Sequence, residues 1–419
     1  MVGRHQGDRD LSDTGSDRRI DQLHVSGLAY HVGVDDTVAI WFHDGLSETH
    51  TVGPTAKLAS AVAELREELT DTTQVASGHT PRLSAFSSDW GLRLLPPSLS
   101  EATTDVVVVI PHNFLHSVPI HLIAPPGSSL PLGCRVGVSY TSSASLFVRC
   151  SQRNQSRGID PSKWTFNPSD PAGRDVTNSP AIGARRVLAG GVDVTAAGVD
   201  SFQALAVDVL ERTRSAVEMQ SGADPDPLSR FDLKIVLSVP GAPYGLICLA
   251  AHGFIDRHDH EMSGLLLGVN PFMTKDKSLR ISGKEFYCSD EPLRDVPPNL
   301  GGRTDAEVMT IAELESDGEC GAELVALMGC SAGLADLLQA DEPASLAETF
   351  LHIGCGSVIA PMWDSYYDAT RVWMSAFLDA WLLGRFPKAI AAKHAFKSCM
   401  DQVGHLGIAG PLTLRGDWL

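Results

Sequence analysis

Positive charge is scarce in this chain of 419 residues: 33 Lys and Arg stand against 51 Asp and Glu, a formal net charge of −18. Without a basic stripe to neutralise phosphates, nonspecific nucleic-acid binding is disfavoured, and basic partners suit the surface better. Long apolar runs are also missing. No stretch approaches the roughly 18 apolar residues of a membrane span, and the first residues, MVGRHQGDRDLSDTGSDRR, lack the apolar centre of a secretion signal. The eight cysteines, at positions 134, 150, 248, 288, 320, 330, 355 and 399, form no C-x-x-C pair and keep no regular spacing, so a disulfide scaffold is not expected. Neither a phosphate loop of the G-x-x-x-x-G-K type nor a dinucleotide G-x-G-x-x-G occurs. The expectation is a reduced, soluble, cytoplasmic protein with no metal, no other cofactor, no direct nucleic-acid partner and no membrane.

Hydrophobic residues make up 43% of the chain, enough over this length for the cores of two domains or of one large α/β domain. Residues 1–20 carry charge, Gly, Ser and Asp without a hydrophobic period, the composition of a disordered arm. LHVSGLAYHVGVDDTVAIWFHDG then predicts a hairpin around the turn residues GVDD, followed by a helix near 55–69. DVVVVIP (105–111) is continuous and β-branched, as in a strand covered on both faces. ARRVLAGG (184–191) reads likewise, and FQALAVDVLERTRSAVEM (202–219) reads as an amphipathic helix laid on the sheet. Three more apolar strands are YGLICLAAHG (244–253), AELVALMGC (322–330) and GCGSVIAPMW (354–363). The last is preceded by the helix ASLAETFLHI and followed by one over about 368–383. Such alternation implies a largely parallel sheet whose loops meet at the strands' C-terminal ends. The polar stretch after residue 253 is too long for an ordinary loop and is expected to shape or cover a site.

On that sheet His252 and Cys330 share one edge. Each has a plain reading, since free cysteine is among the most buried residue types and a strand-end histidine is often only a hydrogen-bonded polar residue. Their neighbours open a second reading. Gly329 before Cys330, and Ser331, Ala332 and Gly333 after it, permit a sharp turn that sets the sulfur at the mouth of the sheet. Gly253 brings an unobstructed N–H close to a ligand, and Ala250 and Ala251 leave space beside the imidazole. A thiol with a pKa of about 8.5 is little ionised at neutral pH. A neighbouring imidazole would take its proton and later give it to a leaving amine, and the amides of Gly253 and Cys330 are candidates for an oxyanion hole.

In order and spacing, LICLAAHGFID, SGLLLG, LVALMGCSAG and EPASLAETFLHIGCGSVIAPMWDSYYDAT resemble the CHAT family of caspase-like cysteine peptidases. VVVVIPHNFLHSVPIHLI, GVSYTSSASLF and the early hairpin resemble that family's N-terminal half, so the likeness covers almost everything after about residue 20. It implies an α/β caspase-hemoglobinase fold shared with separases, gingipains and caspases: a mostly parallel central sheet flanked by helices. An N-terminal pseudo-caspase half would occupy residues 21–180 and the catalytic half residues 181–419. The family's His-Gly motif falls on His252 and its Cys-Ser motif on Cys330, although many relatives have an acidic residue where this chain has Ser331-Ala332. Relatives line their primary specificity pocket from the strand after the catalytic cysteine, which here ends APMWDSYYD. Trp363 would then pack on a substrate side chain, and Asp364 or Asp368 would pair with an Arg or Lys at the cleavage position. Asp368 equally suits a helix cap.

The implied function is a cysteine endopeptidase that cuts protein or peptide substrates after a basic residue and is activated by a regulatory protein partner or by proteolysis. Family members serve in bacterial antiviral defence, including CRISPR-linked systems. Lys275, Lys277, Arg280 and Arg294 are candidate cut sites in the long polar stretch. The alternative is a catalytically silent caspase-like scaffold or signal-binding module. HDHE at 258–261 has ligand-type residues but no partner pair at zinc spacing, so a solvated loop is expected. His112, His116 and His121 are unevenly spaced and suit packing or turn roles better than metal ligation.

Overall fold

The computed structural model describes residues 18–78, 80–100, 103–156, 165–166, 186–191, 202–216, 233, 237, 244–251, 253–254, 261, 263–268, 278–281, 284–287, 306–329, 336–337 and 343–419. The arm expected over residues 1–20 already gives way to structure at Arg18. Arg18–Arg19 pairs antiparallel with Thr165–Phe166, and the Arg18 guanidinium donates to both carboxylate oxygens of Asp105 at 3.0 and 3.1 Å. Ile20 is buried, because the apolar side chain after this fork can enter the core.

Val25–Val32 (β1), Asp36–His43 (β2) and Leu46–Pro54 (β3) form an antiparallel meander whose first pair is the expected hairpin. Thr55–Thr70 (α1) and Pro81–Leu94 (α2) follow it, and then Val106–Ile110 (β4), Gly137–Tyr140 (β5) and Ala144–Ser156 (α3). The second half runs Arg186–Gly191 (β6), Phe202–Ala216 (α4), Tyr244–Ala250 (β7), Gly253–Phe254 (β8), Gly264–Gly268 (β9), Ala306–Thr310 (β10) and Ile311–Asp317 (α5). It ends with Leu324–Leu327 (β11), Leu346–His352 (α6), Ser357–Pro361 (β12), Tyr367–Leu378 (α7), Lys388–Val403 (α8) and Leu412–Gly416 (β13).

One sheet of ten strands, in the order β3-β2-β1-β4-β5-β13-β12-β11-β7-β6, runs through both halves. Strands β1, β4, β5 and β13 are mutually parallel, as are β12, β11, β7 and β6, and the two blocks meet antiparallel at β12 and β13. The last strand of the chain therefore belongs to the block of the first ones. Within the polar stretch after residue 253, β8, β9 and β10 form a separate antiparallel sheet, and Arg280 lies in the strand Ser278–Ile281. Lys275, Lys277 and Arg294, and His258, Asp259 and His260 of the HDHE run, lie outside the described residues.

Period-two geometry explains why the central strands read as unbroken apolar runs. Leu246, Cys248 and Ala250 of β7 face one core, with Leu324 and Ala326 of β11 and Ile359 of β12. Ile247 and Leu249 of β7 face the other, with Val325, Leu327, Val358 and Ala360. Helices α1, α2, α4, α7 and α8 supply the first core, and α3, α5 and α6 the second. The helix expected over about 368–383 is two pieces: α7 stops at Leu378 and a π-helical turn, Asp379–Leu383, continues it. Arg212 of α4 donates to both Asp379 carboxylate oxygens at 2.8 Å beside that turn.

The three early histidines act inside the fold. His112 accepts the Val32 N–H at its Nδ1 (2.9 Å), while His121 is bonded through both ring nitrogens, to the Tyr140 hydroxyl and the Gly410 carbonyl, each at 2.8 Å. Burial pushes the His121 imidazole down to about 4. Burial, then the Arg415 guanidinium and His112, push His116 down to about 3. At the seam, Lys388 at the start of α8 sits 3.3 Å from Glu323, next to β11, with both side chains fully enclosed.

Two outcomes follow. Removing one member of an enclosed ion pair strands the other, so Lys388→Met is expected to cost roughly 3–5 kcal/mol in urea denaturation, and Lys388→Met/Glu323→Leu to recover most of it. His116 and His121 stay neutral when folded against an ordinary value of 6.5. Below that value the unfolded chain binds more protons, so their contribution is complete above about pH 6.5 and is lost as pH falls towards the depressed folded values. Unfolding free energies at pH 7, 6 and 5 should decline less steeply in His116→Gln than in the parent.

Candidate active site

Strands β7 and β11 pair in parallel from Leu246↔Leu324 to Leu249↔Leu327, and the Met328 N–H extends the ladder to the Leu249 carbonyl at 2.9 Å. Both strands therefore end at one level. Just beyond, Gly329 packs so closely on Ala251 that an added Cβ would stand 1.6 Å from the Ala251 carbonyl oxygen and 3.2 Å from the Gly253 nitrogen. Glycine is required here by the approach of another backbone. Gly253 opens β8, whose pairing with Leu265 and Gly264 of β9 leads the chain into the smaller sheet. His252 and Cys330 each follow one of the touching residues, Ala251 and Gly329, and both lie outside the described residues.

The end of β12 forms the next part of this edge. Pro361 pairs with Leu412, and the Met362 N–H donates to the Pro411 carbonyl at 2.8 Å. Trp363 departs from its expected role: only 2% of it is exposed, it lies in the first core, and its indole N–H donates to the Gly407 carbonyl at 2.8 Å. A ring so enclosed and so bonded is a packing residue, and it leaves the substrate-facing set. Asp364 is half-buried and Asp368 exposed. The helix cap expected of Asp368 is not formed by it, since α7 begins at Tyr367 behind the N-cap Tyr366. In the first turn its charge still favours the helix start, and, after Asp208 and Tyr367, it helps raise the Arg371 guanidinium.

Sequence reasoning missed the segment 404–411, GHLGIAGP, that supplies the Gly407 and Pro411 carbonyls. Its glycines are the one available signal. A Cβ on Gly410 would meet Leu122 at 2.6 Å and the Leu406 carbonyl oxygen at 2.8 Å, so the segment can lie this close only without that side chain.

Four other cysteines have raised thiol values. Burial pushes Cys134 and Cys399 up to about 11 and Cys150 up to about 12, and raises Cys248 further. Thiols in that range stay protonated and are poor nucleophiles at neutral pH. Among the described residues no group of His, Cys, Asp and Glu is arranged to hold a metal ion, and no helix is long and apolar enough to cross a membrane.

The two-block sheet and its paired strand ends define a caspase-like α/β fold. The CHAT domain model matches residues 88–403, and the chain belongs to the CHAT domain family. Separase from Saccharomyces cerevisiae, in a crystal structure of its complex with securin, is similar at a TM-score of 0.54 and 9% identity over 95% of this chain. That match covers 30% of the separase chain. A second crystal structure of the complex gives 0.51 and 9% over 94% of this chain and 30% of the other. The Arg specific cysteine proteinase gingipain R matches at 0.40 and 10% identity, over 87% of this chain and 74% of its own. No curated protein matches the chain in sequence.

The contact at Gly329 is open to a direct test. Gly329→Ala is expected to force the ends of β7 and β11 apart and lower the thermal midpoint by several degrees. Gly27→Ala, whose added carbon would meet the Phe42 side chain at an ordinary 3.5 Å, should stay within about 1 kcal/mol of the parent.

Proposed function

We propose that the chain is a cysteine endopeptidase in which Cys330 is the nucleophile and His252 its base. The observation that carries this reading is the contact of Ala251 with Gly329, because the next residue after each is the histidine and the cysteine that the family motifs assign. In the proposed reaction His252 takes the Cys330 proton, and the sulfur adds to the scissile carbonyl carbon. The tetrahedral intermediate collapses with cleavage of the C–N bond as the imidazolium protonates the leaving amine. Water, deprotonated by His252, then hydrolyses the thioester and regenerates the thiol. The Gly253 nitrogen is close to the strand end that precedes Cys330, which supports its N–H, with that of Cys330, as the oxyanion donors.

Preference for Arg or Lys at the cleavage position rests on Asp364 and Asp368, the two carboxylates that follow β12 with surface exposure. Arginine would gain from two-pronged pairing with a carboxylate. A basic preference would also make Lys275, Lys277, Arg280 and Arg294 sites for activating cleavage. The yeast separase of the comparison is held in a complex with securin, and a protein partner is the other form of control proposed here. A place in bacterial defence rests on the family likeness.

Incubating parent, Cys330→Ala and His252→Ala with a bacterial proteome and reading new N-termini tests the assignment. The parent should generate cuts that follow Arg or Lys, and both variants should generate none while melting like the parent. Unchanged cleavage in either variant would remove the dyad. Failure of an arginyl chloromethyl ketone to label Cys330, with or without activating proteolysis, would favour the silent scaffold. Asp364→Asn should lower kcat/KM for arginyl substrates by about tenfold or more if that carboxylate pairs with the substrate.

A further inference from the structure

We infer that His121, in the N-terminal block, is a positioning residue that fixes the end of β12 through the segment 405–411; its bearing on substrate preference rests on the function proposed above. His121 lies beside the Tyr140 hydroxyl and the Gly410 carbonyl, 289 residues further along the chain. A carbonyl oxygen only accepts, so Nε2 carries the hydrogen, and Nδ1 accepts from the Tyr140 O–H. The Tyr140 oxygen in turn accepts the His121 backbone N–H at 3.0 Å. The ring is therefore held at both nitrogens, its own backbone is tied to the same hydroxyl, and the edge contact with Phe396 of α8, at 5.7 Å between centroids, adds a third restraint on the ring.

What it holds is the segment bonded to the residues that lead from β12 to Asp364. The Gly410 carbonyl takes His121, the neighbouring Pro411 carbonyl takes the Met362 N–H, and the Gly407 carbonyl takes the Trp363 indole. Met362 and Trp363 are the residues between β12 and Asp364. Every hydrogen bond in this relay is buried or internal to the backbone, so none is exchanged for water at small cost. Gly410 cannot retreat towards Leu122, because the side chain already occupies the space a Cβ would need. The geometry thus ties the position of Asp364 to an imidazole in the 3-10 turn Ile120–Leu122, between strands β4 and β5 of the opposite block.

Two substitutions separate positioning from packing. In His121→Gln the amide nitrogen replaces Nε2 and keeps the bond to Gly410; in His121→Asn the amide oxygen replaces Nδ1 and keeps the bond to Tyr140 alone. Hydrogen exchange read by mass spectrometry on the full chain is expected to quicken about tenfold over residues 362–366 and 405–411 in His121→Asn, and to stay near the parent in His121→Gln. With an arginyl peptide substrate, KM should rise about tenfold in His121→Asn with kcat within about twofold, and His121→Gln should restore it. Equal exchange in parent and His121→Asn, or equal acceleration in both variants, overturns the inference. If His121→Asn does not fold, Tyr140→Phe frees the ring at Nδ1 and should quicken the same two segments, and unchanged exchange there overturns it. Exchange needs no catalysis, so a chain that shows the selective acceleration but cleaves nothing keeps the positioning role and loses only the peptidase reading.

Discussion

Backbone contact between Gly329 and Ala251 governs the local design. Two parallel strands can place the residues that follow them side by side only if their ends are in register and no side chain intervenes. The ladder from Leu246↔Leu324 supplies the register, and the missing Cβ of Gly329 supplies the clearance. Small residues around it serve the same end, since Ala250 and Ala251 are buried with almost no exposed surface. The strands themselves hold this edge rigid because alternate side chains are packed into cores on both faces. A site built on such ends inherits their precision, which a site on a free loop would lack.

The second constraint lies at the seam. An antiparallel junction of β12 and β13 makes one sheet from two blocks, and the side chains that cross it are unusually polar for a core. Asp417 accepts from Asn154 at 2.5 Å and from Ser151 at 3.2 Å, the Ser357 hydroxyl donates to the Asp417 carbonyl at 2.7 Å, and Arg415 lies 3.4 Å from Glu348. Buried charges of this kind add little net stability over well-packed apolar side chains, but a displaced partner leaves an uncompensated charge in the interior. The seam therefore penalises any slip between blocks. That matters for function because the strand that closes the seam, β13, is continuous with the segment bracing β12.

Much of this was legible in the chain. The run at 105–111 announced a doubly covered strand and those at 244–253 and 354–363 apolar strands, and the structure has strands in all three, while Gly253 and Gly329 marked a strand edge. The strand LTLRG was silent for a physical reason: it has five residues, and it carries Arg415, whose charge is answered by Glu348, 67 residues away. No local pattern encodes such a partner. Trp363 misled for a related reason. Its place after β12 suits a pocket, but its indole donor is met by Gly407, 44 residues further on, and that pairing draws the ring inwards. The arm over residues 1–20 was read from composition, which cannot register that Arg18 meets Asp105, 87 residues away.

Burial of Trp363 also bears on the proposed substrate preference. An aromatic wall would recognise the stem of a long side chain by packing, and would favour large apolar residues almost as well as basic ones. With the ring turned inwards, Asp364, Ser365, Tyr366 and Tyr367 are left half-buried and Asp368 exposed after β12, and under the proposed function the two carboxylates among them would discriminate by charge. Under the proposed function, preference for a basic residue would be set by where those carboxylates stand. Their position follows the chain from Met362 through Trp363, and both residues are bonded to the glycine segment that His121 holds. Under that proposal, discrimination at one block of the sheet would depend on hydrogen bonds anchored in the other, which would give the N-terminal block a physical reason to be retained beside the second one.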